Sequence, residues 1–207
     1  ASNLRLVRSL IGPHVNLTAV IKANAYGHGA VIIGESAIAA GADELAVATV
    51  DEGAQLRDAG IEAPILVLGP IGIGERTRAI GHRLAVVVSD IGFAHALAAD
   101  ARMMLAKEPV SVHLKIDTGM NRFGTNPELA VATAQAIQAH PELRLDGIMT
   151  HMAAADDPDP HFEQDQVAVF DRVLADLADA GIEIPQQHVA NSATTLRFPH
   201  DHRSRVR

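Results

Sequence analysis

The chain of 207 residues contains no cysteine, and its single tyrosine is Tyr26. The lack of cysteine excludes disulfide frameworks and thiolate metal sites. No apolar stretch approaches the roughly 20 residues that a membrane span needs, and residues 1–5 lack the apolar core of a secretory signal. We therefore expect a cytoplasmic protein with no membrane partner, although a segment upstream of Ala1 remains an open alternative.

Positive charge is also scarce in this sequence. Lys and Arg number 17 against 25 Asp and Glu, and the formal net charge is −8, which does not favour a nucleic-acid partner. A hydrophobic content of 48% with a mean hydropathy of +0.12 indicates a globular chain rather than a disordered one. The length suits one domain, residues 1–207, or one domain plus part of another.

Short apolar runs alternate with helix-length segments along the whole chain. Asp51 is placed to cap the second predicted helix, and Asn126 opens the third. The predicted strands are residues 17–23, 45–50, 65–68, 84–88, 110–116, 145–149 and 188–190, and the predicted helices are residues 27–40, 52–59, 126–139 and 161–180. This alternation predicts one parallel-sheet domain, and about seven strands suit either an open doubly wound sheet or a closed barrel.

Lys22 stands at the end of the first apolar run, where parallel sheets usually bind ligands. An ammonium group there would be partly desolvated, which favours the neutral amine and makes it a candidate nucleophile or Schiff-base former. The alternative is a lysine that extends its charged end into solvent. Lys115, His151 and Asn191 also follow strand candidates, so in a barrel all four would lie on the same rim.

Eleven histidines raise the question of a metal site, yet no His-Glu-x-x-His pair occurs. His161, His200 and His202 lie in polar segments that are typical of solvated loops. Residues 156–160 form a carboxylate-rich turn, which is far more often a loop than a cation site, and the glycines of residues 69–74 are too weak a phosphate-binding signal. We expect no metal.

Four segments of the chain resemble, in order, the signature segments of alanine racemases. They are residues 20–29 (Val-Ile-Lys-Ala-Asn-Ala-Tyr-Gly-His-Gly), 115–124, 150–153 and 188–193. The resemblance implies a TIM-type (β/α)₈ barrel that binds pyridoxal 5′-phosphate, incomplete at its C-terminal end, with the β-rich C-terminal domain of the family absent. It also implies interconversion of L- and D-alanine by a homodimer, which supplies D-alanine for peptidoglycan.

The same resemblance implies roles for individual residues of the rim. Lys22 would join the cofactor covalently and act as one of two proton-transfer bases. Tyr26 and Ser192 would bind the cofactor phosphate, with Asn191 as the neighbour of Ser192 in its motif. His151 would pack against the cofactor ring.

Further cofactor-binding and supporting roles follow from the resemblance. Arg122 would contact the phenolic oxygen of the cofactor and receive the substrate carboxylate, and the fixed donors of a guanidinium suit both tasks. Lys115 matches a lysine that is often carbamylated and orients this arginine. Arg207 would meet the pyridine nitrogen with His188 behind it, although other arginines lie close to it in the sequence.

One base of the family is missing from the sequence. The second proton-transfer base of alanine racemases is a tyrosine of the C-terminal domain, and the only tyrosine here is Tyr26. We therefore expect these 207 residues to be a truncated barrel that is inactive alone. Two alternatives stay open, namely a single-domain pyridoxal-phosphate homeostasis protein and a racemase of serine or another amino acid.

Overall fold

The computed structural model describes residues 2–197, in which seven parallel strands form one sheet in the order β1 to β7. The strands are β1 (Thr18–Val20), β2 (Glu44–Val47), β3 (Ile65–Val67), β4 (Ala85–Val88), β5 (Val110–Lys115), β6 (Leu143–Met149) and β7 (Gln186–His188). Parallel neighbours need long crossovers, and helices occupy these connections. All seven predicted strands are confirmed, with small shifts of their ends.

One helix precedes β1, two follow it, and each later strand is followed by one helix. They are α1 (Ser2–Ile11), α2 (Lys22–Tyr26), α3 (Ala30–Ala39), α4 (Val50–Asp58), α5 (Arg76–Gly81), α6 (Ile91–Met103), α7 (Ala130–Gln138), α8 (His161–Asp179) and α9 (Ser192–Arg197). The prediction for α8 is confirmed almost to the residue, because its apolar residues recur at helical spacing. Asn126 caps the turn that leads into α7, as predicted, through the amide of Glu128.

The predicted cap of α4 is wrong. The residue that caps this helix is Thr49, whose hydroxyl accepts from the amide of Glu52 while the Glu52 carboxylate accepts from the amide of Thr49. This reciprocal capping box leaves Asp51 inside the first turn, where its carboxylate pairs with Arg78. The sequence did not predict α6, since its Ala-rich segment is apolar around most of its circumference and shows no clear stripe.

The core has two layers because the central strands, most clearly β3 and β4, are apolar on both faces. Outward side chains such as Val47, Val86 and Leu114 pack against the helices, and the fully buried Phe170 of α8 lies in this layer. Inward side chains form a second, smaller cluster that includes Ala46 and Val87. Strands buried on both faces are typical of parallel sheets covered by helices.

The strand order decides between the two architectures that the sequence left open. A sheet ordered β1 to β7 without reversal is that of a barrel, whereas a doubly wound sheet reverses its order at a switch point. Within residues 2–197, β1 and β7 are the two edges of this curled sheet and do not pair with each other. The prediction of an incomplete (β/α)₈-type barrel is confirmed. In this described part of the chain, no helix is long and apolar enough to cross a bilayer.

Candidate active site

Lys22 lies two residues beyond β1, half-buried, and begins the short segment α2, whose backbone is a left-handed turn rather than a right-handed helix. Ala23, Asn24 and Ala25 have φ near 52–54° and ψ near 47–49°, and Tyr26 has φ 55°. The left-handed conformation costs roughly 1–2 kcal/mol per residue that carries a Cβ, so such a run persists only where its surroundings hold it. The strain is concentrated directly after the predicted cofactor lysine.

Two side chains hold this turn in place. The Glu52 carboxylate accepts the Ala23 amide at 2.6 Å and the Ala48 amide at 2.7 Å, so it joins the loop after β1 to the loop after β2. Asn24 Oδ1 accepts the amide of Ala30 at 2.8 Å and so anchors the turn to α3. Glu52 is not among the predicted site residues, because its position in the sequence indicates only a helix start.

Lys115 is the last residue of β5, and its side chain is 3% exposed. Burial, and secondly the nearby Arg122 guanidinium, lower the pKa of the Lys115 amine to about 8, while Asp117 opposes the shift. Its Nζ lies 5.1 Å from the centroid of the Phe123 ring, a favourable cation–π distance. Lys115 is therefore a buried amine that loses its proton far more readily than an ordinary lysine.

Arg122 is exposed at the end of a turn that Asp117 organises. The Asp117 carboxylate accepts the amides of Gly119 and Asn121, both at 3.0 Å. Burial by itself raises the pKa of the Asp117 carboxyl. The hydrogen bonds and the nearby Lys115 outweigh this effect, so the pKa lies below its ordinary value. The turn presents the Arg122 guanidinium at the rim of the barrel.

His151 follows β6, and three of the predicted basic residues lie near enough to act on its imidazole. Burial lowers the pKa of its imidazole, and Arg122, Lys115 and Lys22 lower it further in that order. These electrostatic effects require the three cations to lie near the ring, because charge interactions weaken with distance. The structure thus brings together four of the predicted site residues and favours a neutral His151.

Asn191 directly precedes α9, and its side chain is hydrogen-bonded to backbone groups. Its amide nitrogen donates to the Met152 carbonyl at 3.2 Å, and its Oδ1 accepts the amide of Thr194 at 3.0 Å. Asn191 therefore ties the loop after β7 to the loop after β6. Ser192 is exposed beside it, and Tyr26 is 60% exposed. Arg207, the predicted partner of the pyridine nitrogen, lies outside the described residues.

Two further histidines, His113 and His188, lie close together inside the barrel, with their ring centroids 4.9 Å apart. Burial lowers the pKa of His113 to about 3, with a smaller effect of His188, and burial lowers that of His188 to about 4. Nδ1 of His113 and Nε2 of His188 are buried without a partner among residues 2–197. Sequence reasoning missed His113, although it lies two residues before Lys115 and so shares its strand face.

A cavity of about 740 Å³ lies between β1 and β7, with α1, α3 and α9 around it. Tyr26, His188, Asn191 and Ser192 line it, whereas the residues around His151 do not. We interpret this cavity mainly as the gap in the barrel wall, because it follows the two unpaired sheet edges. In the described residues, no group of three or more His, Asp or Glu side chains is arranged to hold a metal ion.

The fold places the chain in the (β/α)-barrel class, with basic residues on the rim formed by the C-terminal ends of its strands. Comparison with known families makes this specific, since the family described as "Alanine racemase, N-terminal domain" matches residues 1–207. The chain belongs to this family. Alanine racemases are isomerases that depend on pyridoxal 5′-phosphate, and this is the cofactor that the family assigns to the barrel.

Relatives and solved structures agree with this assignment. The chain is 45% identical to an alanine racemase of Synechocystis sp. and 40% identical to one of Nostoc sp., each over 206 residues. Both alignments cover 99% of this chain, but they cover only 55% of the Synechocystis protein and 53% of the Nostoc protein. An alanine racemase of Clostridium difficile 630, in a complex with cycloserine, superposes with a TM-score of 0.89 at 32% identity over 96% of this chain and 55% of that one. The chain thus spans about half the length of these relatives.

Proposed function

We propose that this chain forms the cofactor-binding barrel of an alanine racemase, which interconverts L- and D-alanine. The observation that carries the proposal is the convergence of Lys22, Lys115 and Arg122 around His151 on one rim. Asp117 offsets only part of this positive charge. Such a site suits ligands that carry a phosphate and a carboxylate, as the cofactor and an amino acid do.

The residues available fit pyridoxal phosphate. The phenol of Tyr26 and the hydroxyl of Ser192 are exposed donors in the loops that follow β1 and β7, where they would hold the phosphate, with Asn191 shaping the second loop. The neutral imidazole of His151 would pack against the ring. When bound, the cofactor supplies an electron sink that makes the substrate's α-proton acidic.

Lys22 Nζ would move this proton on one face of the substrate α-carbon. Racemisation also needs a base on the opposite face. We assign that role to a tyrosine of the family's β-rich C-terminal domain, because the single tyrosine of these 207 residues, Tyr26, would bind the phosphate. Arg122 would receive the substrate carboxylate with its fixed donors. A carbamate formed on the Lys115 amine would be an anion that orients the guanidinium of Arg122.

His188 supports the role proposed for Arg207. Its imidazole stays neutral to low pH, and its buried Nε2 has no partner among the described residues. A neutral ring nitrogen of this kind can accept a hydrogen bond from a guanidinium, which has only donors. We propose that Arg207 fills this position and keeps the pyridine nitrogen unprotonated, which weakens the electron sink and favours racemisation over transamination.

The wider setting of the reaction is part of the same proposal. Residues 1–207 would act as one pyridoxal-phosphate-binding domain of a cytoplasmic homodimer, and the D-alanine formed would be used for peptidoglycan. Family membership supports these points. Alanine as the substrate is inferred from the names of the relatives, since the described rim residues would bind mainly the charged groups of a ligand.

The test uses the complete gene product loaded with pyridoxal phosphate. Borohydride reduction followed by peptide mapping should place the cofactor on Lys22, and the protein should interconvert the two forms of alanine. Lys22→Ala should abolish both results, whereas Lys107→Ala, at an exposed lysine, should change neither. An adduct on another lysine would refute the site. An adduct on Lys22 without racemisation of alanine would favour the homeostasis protein or another substrate.

A further inference from the structure

Gln166 is a buried polar residue on α8 that the proposed mechanism does not use. Its side chain is 1% exposed, although it lies on the outer helix layer, one turn before the core residue Phe170. A glutamine is rarely buried to this extent unless its amide is fully hydrogen-bonded. Its partners therefore indicate what the burial accomplishes.

The amide of Gln166 is hydrogen-bonded at both ends to active-site loops. Its Oε1 accepts the amide of Ala153 at 2.9 Å. Its Nε2 donates to the His151 carbonyl at 3.0 Å and to the Thr118 hydroxyl at 3.1 Å. One planar amide thus joins the loop after β6, which carries His151, to the loop after β5, which carries Arg122.

Packing reinforces this connection. The Thr118 hydroxyl also shares a buried hydrogen bond of 2.7 Å with the hydroxyl of Thr150, directly before His151. At Gly119, a Cβ atom would lie 3.5 Å from Cγ of Gln166 and 3.4 Å from Cζ of Phe162. The backbone of the Arg122 turn therefore lies about one methyl group away from the side chains of α8.

We propose that Gln166 is a positioning residue that sets Arg122 and His151 in register with each other at the rim. The proposal rests on the proposed function, because it assigns Gln166 to the geometry of that same site. Gln166 contacts neither residue's functional group, and it acts through the Thr118 side chain and the backbone of His151. Small displacements of such groups reduce the rate strongly, since catalysis depends on their orientation.

Two substitutions separate the parts of the connection. Gln166→Leu removes all three hydrogen bonds at similar volume. Gln166→Glu keeps an acceptor for the Ala153 amide, and the Thr118 hydroxyl can turn to donate to the new carboxylate. The hydrogen bond to the His151 carbonyl is lost, because a carboxylate has no proton to donate. The matched control is Gln164→Glu, at an exposed position on the same helix.

The first measurement does not depend on activity. Hydrogen exchange of the cofactor-free complete gene product should rise in residues 117–125 and 150–156 together for Gln166→Leu. It should rise mainly in residues 150–156 for Gln166→Glu and in neither segment for Gln164→Glu. Exchange that rises across the whole chain, or only around Ala153 in Gln166→Leu, would overturn the proposal.

The second measurement is kcat per cofactor-loaded site, taken well below the melting temperature. We expect Gln166→Leu to lower it by about 10- to 100-fold, and Gln166→Glu by less. An unchanged kcat with lower thermal stability would show a merely structural role and would overturn the proposal. If the unsubstituted protein fails to racemise alanine while exchange still rises in both segments, the proposed function is refuted and the coupling of the loops is supported.

Discussion

Lys115 offers a direct test of how burial controls the basic rim. Its pKa falls from an ordinary value of 10.5 to about 8 in the folded chain, chiefly because the amine is buried. One pKa unit corresponds to about 1.4 kcal/mol, so the charged amine destabilises the folded state by up to roughly 3 kcal/mol at neutral pH. Local relaxation and water penetration reduce such a penalty, so roughly 1–3 kcal/mol is the expected range.

The sign of the pH dependence follows from proton binding. Between pH 8 and 10.5 the unfolded chain holds a proton on Lys115 that the folded chain has released, so the free energy of unfolding rises with pH through this window. Lys115→Met should lack this rise, and its stability relative to the unsubstituted chain should be highest below pH 8. The difference between the two proteins isolates Lys115 from the other groups that titrate in this range.

The assay is urea denaturation between pH 7 and 10 in buffers freed of carbon dioxide, with Lys107→Met as the exposed control. Adding ¹³C-labelled bicarbonate near pH 8 should then produce a carbamate adduct on Lys115, detectable in solution as a ¹³C NMR signal that Lys115→Met lacks, because much of this amine is unprotonated there. An identical pH slope in Lys115→Met and the unsubstituted chain would refute the reasoning about burial. A missing adduct would refute the proposed carbamate.

Three further predictions concern residues that support the site. Glu52→Gln places an amide nitrogen, itself a donor, against a backbone N–H, either that of Ala23 or that of the loop after β2. It should lower the free energy of unfolding by about 1–2 kcal/mol in denaturation experiments and weaken cofactor binding in an absorbance titration. Glu44→Gln removes a carboxyl whose pKa is raised by burial from 4.5 to about 7, so the unsubstituted chain loses stability as the pH rises through this window. In urea denaturation the variant should therefore be more stable than the unsubstituted chain by roughly 1–3 kcal/mol at pH 8 and similar to it near pH 4.5. Gly147→Ala places a Cβ 2.4 Å from Nδ1 of His113 and should cost about 1–3 kcal/mol, measured by thermal and urea unfolding.

Matched substitutions control these predictions. Glu35→Gln, on the exposed side of α3, should leave stability and cofactor binding unchanged, and Gly74→Ala has no atom within 4 Å of its new Cβ. Unaltered cofactor binding in Glu52→Gln would contradict its role in holding the turn after Lys22. Equal stability of Glu44→Gln and the unsubstituted chain at pH 8 would contradict the raised pKa. Full stability of Gly147→Ala would show that His113 can move aside.

Several features of the fold could be predicted from the sequence because they depend on local patterns. The strands are apolar runs whose length and β-branched content are visible in the sequence, and α8 shows its apolar residues at helical spacing. The placement of Lys22, Lys115 and His151 on one rim followed from the ends of those strands. The cap of α4 was misplaced by two residues, because Thr49 and Asp51 are both good capping residues.

The supporting residues could not be predicted in the same way. Glu52 appeared only as part of a helix start, yet its carboxylate holds the turn after Lys22 from the neighbouring loop. Gln166 appeared only as a polar position on an amphipathic helix, yet it joins two loops. His113 meets His188 across two strands that are not adjacent in the sheet. Each of these contacts joins residues that lie far apart in the sequence.

The sequence by itself determined the alternation of strands and helices, the rim on which the basic residues lie and the family to which the motifs point. Only the tertiary structure decided that the sheet curls in the order of a barrel, that the chain after Lys22 is left-handed, and that Lys115 and His151 sit where their protons are weakly held. The physical reason is that local propensity and periodicity act between near neighbours, whereas burial, electrostatic interaction and backbone strain depend on which distant residues the fold brings into contact.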